Sequence, residues 1–195
     1  KEGTAKVGDV SFTVVDLPGI YSLSPYSMEE LVARRFIIGE KPDAIINIVD
    51  ATNLERNLYL TMQLLELERP MVLALNFMDE VEKKGDQIDC GKLSAHLGVP
   101  VIPISARDGQ NIDKLVEEAH RQMHTGLTLE PDDLYDDFTH AIHHRIGDII
   151  HDRAYERGIP AHWAAIKLLE GDSEVAKDLG LGEPPLRRLD QIATE

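Results

Sequence analysis

Four short apolar runs mark the first half of the chain, and segments with helical periodicity separate them. Residues 10–16 (VSFTVVD) read as a strand, and residues 43–51 (DAIINIVDA), 71–79 (MVLALNFMD) and 99–106 (VPVIPISA) as short, nearly continuous apolar runs. Such runs predict strands buried on both faces, as in a parallel sheet covered by helices. Residues 4–9 (TAKVGD) contain a turn signal before the first of them. In residues 27–41 the spacing of Met28, Leu31, Val32, Arg35 and Phe36 predicts one helix face, with Ser27 as N-cap and Glu30 three positions on. Residues 54–68 place Leu54, Leu58, Met62 and Leu65 on one stripe, residues 92–98 end at a helix-stopping Gly98, and Ile112, Leu115, Val116 and Ala119 share a side. Alternation of strand and helix predicts right-handed βαβ units: an α/β, doubly wound, mainly parallel sheet that is incomplete. Ligands of such sheets bind beyond the carboxyl ends of the strands, where Asp16, Asp50, Asp79 and Ser105 fall.

The pattern then changes. Residues 126–133 (GLTLEPDD) predict a linker, and no strand signal follows. Residues 134–157 predict one long helix with Leu134, Phe138, Ile142, Ile146, Ile149 and Ile150 as its apolar stripe, stopped by Gly158 and Pro160. Residues 161–171 predict a second helix, and residues 173–180 a short third one capped by Ser173. The expected organisation is therefore an α/β domain over 1–125, the linker, a small all-α domain over 134–183, and a tail over 184–195.

Composition narrows the classes of function. Thirty-five acidic residues against twenty Lys and Arg give a formal charge of −15, which argues against nonspecific binding to nucleic acid or anionic lipid. Cys90 is the only cysteine, so no internal disulfide forms; the expectation is a reducing compartment and a packing role for the thiol. No apolar run reaches the roughly 18 residues that span a bilayer. The chain opens on Lys1 rather than Met, so it is expected to be a piece of a longer protein.

Three strand ends carry candidate chemistry. Asp16-Leu17-Pro18-Gly19, Asn76-Phe77-Met78-Asp79 and Ser105-Ala106-Arg107 match, in order and placement, three guanine-nucleotide motifs of P-loop GTPases. Each makes physical sense. The Asp79 carboxylate can accept both N–H groups of a guanine edge, which adenine cannot reciprocate. Asn76 braces the neighbouring loops, and the loop from Ser105 to Arg107 offers backbone N–H groups to the guanine oxygen. Asp16 can hold Mg²⁺ through water beside the terminal phosphates, and Gly19 lets an N–H approach the γ-phosphate. Singly, D-x-x-G or N-x-x-D is weak; all three at strand ends of one alternating sheet are strong together. The phosphate loop G-x-x-x-x-G-K-[ST] is absent, because residues 85–93 (GDQIDCGKL) have the wrong glycine spacing and Leu93 at the hydroxyl position. The chain alone is therefore expected to bind guanine nucleotide weakly or not at all.

Beyond these motifs the sequence resembles one family, ferrous iron transport protein B (FeoB), over nearly its whole length. The resemblance rests on residues 1–37, on 43–80 with the distinctive DATNLERNLYLT, on 99–116, and on WAAIKLLEGD in the helical part. It implies a P-loop GTPase-like G domain followed by a helical domain described as a dissociation inhibitor and connector. It implies GTP/GDP and Mg²⁺ as ligands, with K⁺ at a site outside this chain. The whole protein would be a GTPase that couples hydrolysis to ferrous iron uptake at the cytoplasmic face of the bacterial inner membrane. Its own C-terminal permease, further copies of itself and small Feo proteins are the implied partners, and nucleic acid is not. Ile20 stands where many regulatory GTPases place a catalytic Gln, which implies slow hydrolysis. Phe77 stands where Lys is common, and its ring could cover the base.

Two rival readings remain open from the residues. A translation- or tRNA-linked GTPase would carry a basic appendage, which this chain lacks. A metal-binding module would use His140, His143, His144, His151 and His162, of which His140 and His144 are spaced i, i+4; solvated helix-face histidines are the plainer expectation.

Overall fold

The structure is a computed structural model that describes residues 1–125, 135 and 137–182. The expected linker 126–133, the tail 184–195 and two stripe positions, Leu134 and Phe138, lie outside the described residues or side chains. The chain divides into two compact units.

The first unit contains Lys1–Ser22, Pro42–Leu65 and the sheet elements from Arg69 onward. It opens with an antiparallel hairpin, β1 (Glu2–Val7) and β2 (Val10–Val15), in register from Glu2↔Val15 to Val7↔Val10. Its parallel sheet has the order β3 (Ile45–Asp50), β4 (Met71–Asn76), β5 (Val101–Pro103). In the central strand Met71, Val72, Leu73, Ala74 and Leu75 are all buried, as expected of a strand covered on both faces. Helices α2 (Leu54–Leu65), α3 (Met78–Lys84), α4 (Cys90–Leu97) and α5 (Ile112–Gln122) alternate with the strands, and a single 3₁₀ turn, Ala51–Asn53, precedes α2. Val72, Ala74 and Ile104 form a core with Leu115 and Ala119 of α5. The polar Asn47 is tolerated inside because its Nδ2 donates to Oγ1 of buried Thr61, 2.8 Å away.

The turn expected within residues 4–9 is made at Gly8, whose φ of +56° suits glycine, and the strand before it runs to Val7. One expectation for this unit needs correction. The strand ending at Asp16 is not buried on both faces and does not join the parallel sheet. Val10 and Val14 are exposed, and Ser11 and Thr13 alternate with Phe12, whose ring stacks 6.1 Å from His120. Only Phe12 and Val15 are half-buried in this strand, so neither of its faces is continuously covered.

The second unit contains Leu23–Lys41, Glu66–Glu68 and the C-terminal helices. Its helices are α1 (Met28–Glu40), α6 (Asp137–Arg157), α7 (Ala161–Leu169) and α8 (Ser173–Asp178). The expected capping box is present: Ser27 Oγ accepts from Glu30 N–H at 3.2 Å, and Glu30 Oε2 from Ser27 N–H at 2.9 Å. Its core includes Ile146, Ile150, Ala154, Trp163, Ala164, Val175 and Leu179.

Here too the structure departs from the sequence reading. The helix at 28–40 groups with the C-terminal helices by its contacts. The face it buries is Ala33, Arg34 and Ile37, while Met28 and Val32 are exposed. A buried arginine carries no apolar signal, so the stripe was misread. The cap of α8 is Asp172, which accepts from Glu174 and Val175 N–H at 3.0 and 3.2 Å; Ser173 is the first helical residue.

Candidate functional site

Parallel pairing of β4 with β5 delivers two loops to the same end of the sheet. The ladder continues one step past β5, where Ile104 N–H donates to Leu75 O at 2.8 Å. Asn76, the last residue of β4, then reaches sideways: its Oδ1 accepts the Ala106 N–H at 3.0 Å. Met78 N–H donates to Ile104 O at 3.3 Å. The Asn76–Asp79 and Ser105–Arg107 segments are thus one hydrogen-bonded body.

Between them Phe77 adopts a left-handed conformation, φ 65°, and is exposed. That conformation costs a bulky L-residue about 1–2 kcal/mol. Strain of this kind is retained where a turn must aim neighbouring groups. Here it turns the chain from β4 directly into α3, so Asp79 lies in the first turn of that helix rather than at the strand tip. The sequence reading passed over α3 because seven residues are too few to show a periodicity.

Asp79 is held by cations. Its Oδ2 accepts from Lys83 Nζ at 3.1 Å and from the Arg107 guanidinium. The Lys83 hydrogen bond, with further help from Ser105 and Arg107, holds the Asp79 carboxyl below the usual carboxylate range against the opposing effect of desolvation. Ser105 is buried; its hydroxyl donates to Asp108 Oδ2 at 3.0 Å, and its backbone exchanges hydrogen bonds with Gln110. Asp108 also receives Arg107 Nε at 3.2 Å and Nη2 at 3.3 Å, and these bonds depress its pKa. Lys83 and Asp108 were not singled out from the sequence. Asp108 stands directly after Ser105-Ala106-Arg107, and Lys83 stands four residues after Asp79 with the spacing of a helical ion pair.

Asp16 follows β2 in the hairpin. Its backbone pairs with Lys1, donating N–H to Lys1 O at 2.7 Å and accepting from the Lys1 amino group at 3.0 Å. Asp16, Pro18 and Gly19 are exposed and Leu17 is half-buried. No hydrogen bond among the described residues joins Asp16–Gly19 to the Asn76–Arg107 body. Gly19 has neither a positive φ nor any neighbour within 4 Å of a Cβ built there. Tyr21, shortly after, lies beneath the Arg56 guanidinium at 4.0 Å. Asp50, the remaining strand-end carboxylate, caps the 3₁₀ turn, accepting from Thr52 N–H at 2.8 Å and from its hydroxyl at 2.7 Å.

The histidines of the helical unit are not all solvated. His143 is buried, with His140, His144 and His162 ring centroids 5.3, 4.5 and 4.2 Å away. Among the described residues no group of three or more His, Cys, Asp or Glu is placed to hold a metal ion. Among the same residues no helix is long and apolar enough to cross a membrane. Burial, with the Asp89 charge beside it, pushes the Cys90 thiol up and away from reactivity.

Family models match both parts of the chain: Ferrous iron transport protein B over residues 1–119, and the FeoB cytosolic helical domain over residues 135–195. The chain is 41% identical over 187 residues to the Fe(2+) transport protein A/Fe(2+) transporter FeoB fusion protein of Porphyromonas gingivalis, covering 92% of this chain and 22% of that protein. It is 49% identical over 119 residues to the Fe(2+) transporter FeoB of Escherichia coli, covering 59% of this chain and 15% of that one. It therefore spans about a fifth or less of these relatives. Among solved structures it superposes on NFeoB from S. thermophilus bound to GDP.AlF4- and K+, with a TM-score of 0.88 and 40% identity over 100% of this chain and 74% of that one. The FeoB G-domain of Methanococcus jannaschii gives a TM-score of 0.62 and 49% identity over 63% of this chain and 79% of that one. A G domain built on a parallel sheet, followed by a helical domain, is thus the shared architecture. The chain belongs to the ferrous iron transport protein B family.

Proposed function

We propose that this chain is the guanine-nucleotide-binding and helical part of a ferrous iron transporter, in which GTP binding and hydrolysis gate passage of Fe²⁺ through a membrane-embedded portion. The observation that carries the reading is the hydrogen bond from Ala106 N–H to Asn76 Oδ1, which ties the two loops proposed to grip the base into one body. In this reading the Asp79 carboxylate accepts the two N–H donors of guanine, and the loop Ser105-Ala106-Arg107 donates backbone N–H to its oxygen. Asn76 fixes the spacing between them, while Phe77 and Met78 shape the floor against the base. The neighbouring structures from S. thermophilus were solved with mGMPPNP and with GDP.AlF4- and K+, which supports guanine nucleotide as ligand and hydrolysis as reaction.

Asp16-Leu17-Pro18-Gly19 is assigned to the phosphate end. The Asp16 carboxylate is exposed and its hydrogen bonds are backbone ones, so a hard cation could be held through water there. Mg²⁺ would supply charge neutralisation on the phosphates, and Gly19 would leave room for a phosphate oxygen at the backbone. No residue of this chain is assigned to K⁺.

The names of the relatives, one of which joins Fe(2+) transport protein A to FeoB, support a membrane portion and pairing with a small FeoA-like protein, and a location at the cytoplasmic face of the membrane belongs to the same reading. The test is displacement of a fluorescent GDP analogue from the full-length protein. GTP and GDP should displace it at concentrations where ATP and ADP do not. Equal displacement by ADP would end the reading.

A further inference from the structure

We propose that Arg107 is a built-in competitor of guanine: its guanidinium holds Oδ2 of Asp79, one of the two carboxylate oxygens that the guanine edge must take. This rests on the role given to Asp79 above and adds to it a residue that sets affinity.

The argument begins with chemical likeness. The edge of guanine that faces a carboxylate presents N1–H and the 2-amino group, two nitrogen donors attached to one carbon. A guanidinium presents the same N–C–N pair of donors, and both match a carboxylate in a two-point fork. Arg107 donates to Asp79 Oδ2, the carboxylate that the guanine reading needs. The contact is made by Nη2 alone and takes one of the two oxygens; the two donors of guanine need both, so a nucleotide must displace the arginine from Oδ2.

The structure also supplies a place for the displaced group. Arg107 Nε and Nη2 lie 3.2 and 3.3 Å from the two oxygens of Asp108, so the guanidinium bridges two carboxylates. Rotation off Asp79 leaves it paired with Asp108, which the buried Ser105 anchors by its hydroxyl. The Arg107 side chain is 60% exposed and free to make that movement, whereas that of Asp79 is 14% exposed and fixed in α3. Lys83 also reaches Asp79 Oδ2, but as a single ammonium on the same helix it offers no fork. It remains in place whichever partner Asp79 holds.

Such a contact sets affinity without setting selectivity. Releasing Arg107 is a step common to every purine that uses Asp79, so it weakens them by one shared factor. An exposed pair of this kind corresponds to a factor of about two to five.

The experiment measures GDP, IDP and ADP binding to the full-length protein at about 0.15 M ionic strength, where the Debye length of about 8 Å limits any influence of Arg107 on the distant phosphates. Arg107→Met keeps the aliphatic stem and removes the fork. It should tighten GDP and IDP about two- to five-fold each, leaving their ratio unchanged. Arg107→Lys should move both in the same direction by less. With Asp79→Asn already present, Arg107→Met should tighten GDP by much less, because the amide oxygen carries no charge for Arg107 to pair with, which isolates the pair. Unchanged or weaker GDP binding by Arg107→Met, with wild type preferring GDP to ADP, overturns the competitor alone. Tightening of GDP without IDP overturns it too, since Arg107 would then be acting on the 2-amino group itself. Wild type that fails to prefer GDP over ADP overturns the Asp79 reading, and the competitor with it.

Discussion

Arg34 and Asp172, 138 residues apart in sequence, form a buried ion pair: Nη1 lies 2.6 Å from Oδ2, with side-chain exposures of 3% and 4%. The same guanidinium lies 4.9 Å from the centroid of the buried Trp163 ring, and the same carboxylate caps α8 through the Glu174 and Val175 amides. One contact therefore fixes α1 to the helical core and starts α8. Removing one partner of a buried pair leaves an uncompensated charge, which costs about 3–5 kcal/mol. Arg34→Ala should lower the unfolding free energy by about that amount in urea titration. Arg34→Met with Asp172→Asn should lose much less than the two single changes added, because neither charge is then stranded. Strict additivity would mean that the pair contributes nothing as a pair.

Asp79→Asn tests the base-recognition role by inversion. The amide keeps one acceptor and gains a donor, so guanine loses a charge-assisted hydrogen bond while xanthine, with a carbonyl at the same edge, gains a partner. GDP affinity should fall on the order of 10²-fold and XDP affinity rise, read by competition against a fluorescent nucleotide. A parallel loss of both would point to a damaged loop.

Asn76→Ala asks whether the two loops act as one body. Without Oδ1 the Ala106 N–H has no acceptor in the described structure and turns to water. Amide exchange at Ala106 should speed up, while exchange in β4, with Leu73, Ala74 and Leu75 buried, stays slow. Nucleotide should bind more weakly, yet GDP should still exceed ADP because Asp79 is intact. Slow exchange at Ala106 in the variant would show that the loop is held by other means, such as the reciprocal Ser105–Gln110 bonds.

The contrast between β4 and α1 shows which parts of the molecule were readable in advance. Met71–Asn76 is apolar at nearly every position, and only burial on both faces explains that, so its place in a parallel sheet was legible. The motif residues at its end were legible for the same reason: polar groups that terminate a buried strand stand out. Arg34 was not, because a charged residue inside a helix reads as solvent-facing until its partner, far along the chain, is known. The hairpin was misplaced because pairing partner and direction are absent from a strand's own pattern; Val10–Val15 could have joined either sheet. Asp108 and Lys83 escaped notice for a third reason, since they act on Asp79 through Arg107 or the helix turn and match no motif.

Glu66 makes the pH dependence of the second unit predictable. It is buried, and desolvation raises its pKa, opposed by the hydrogen bond from the Tyr135 hydroxyl and by the Lys167 ammonium, with Glu170 adding a small further rise. A carboxyl whose folded pKa exceeds the unfolded one binds more protons folded than unfolded in the window between the two values. Stability therefore falls as pH rises through that window and is level above it. Glu66→Gln cannot titrate, but its amide oxygen still accepts from Tyr135. The wild-type minus Gln difference in unfolding free energy should accordingly decline from about pH 4 upward and then flatten. Tyr135→Phe removes the bond that holds the Glu66 pKa down, so in that background the decline should extend to higher pH. Thermal melts of the three proteins from acid to neutral pH measure this. A difference independent of pH would mean that Glu66 has the same pKa folded and unfolded, with Tyr135 and Lys167 cancelling the effect of its burial.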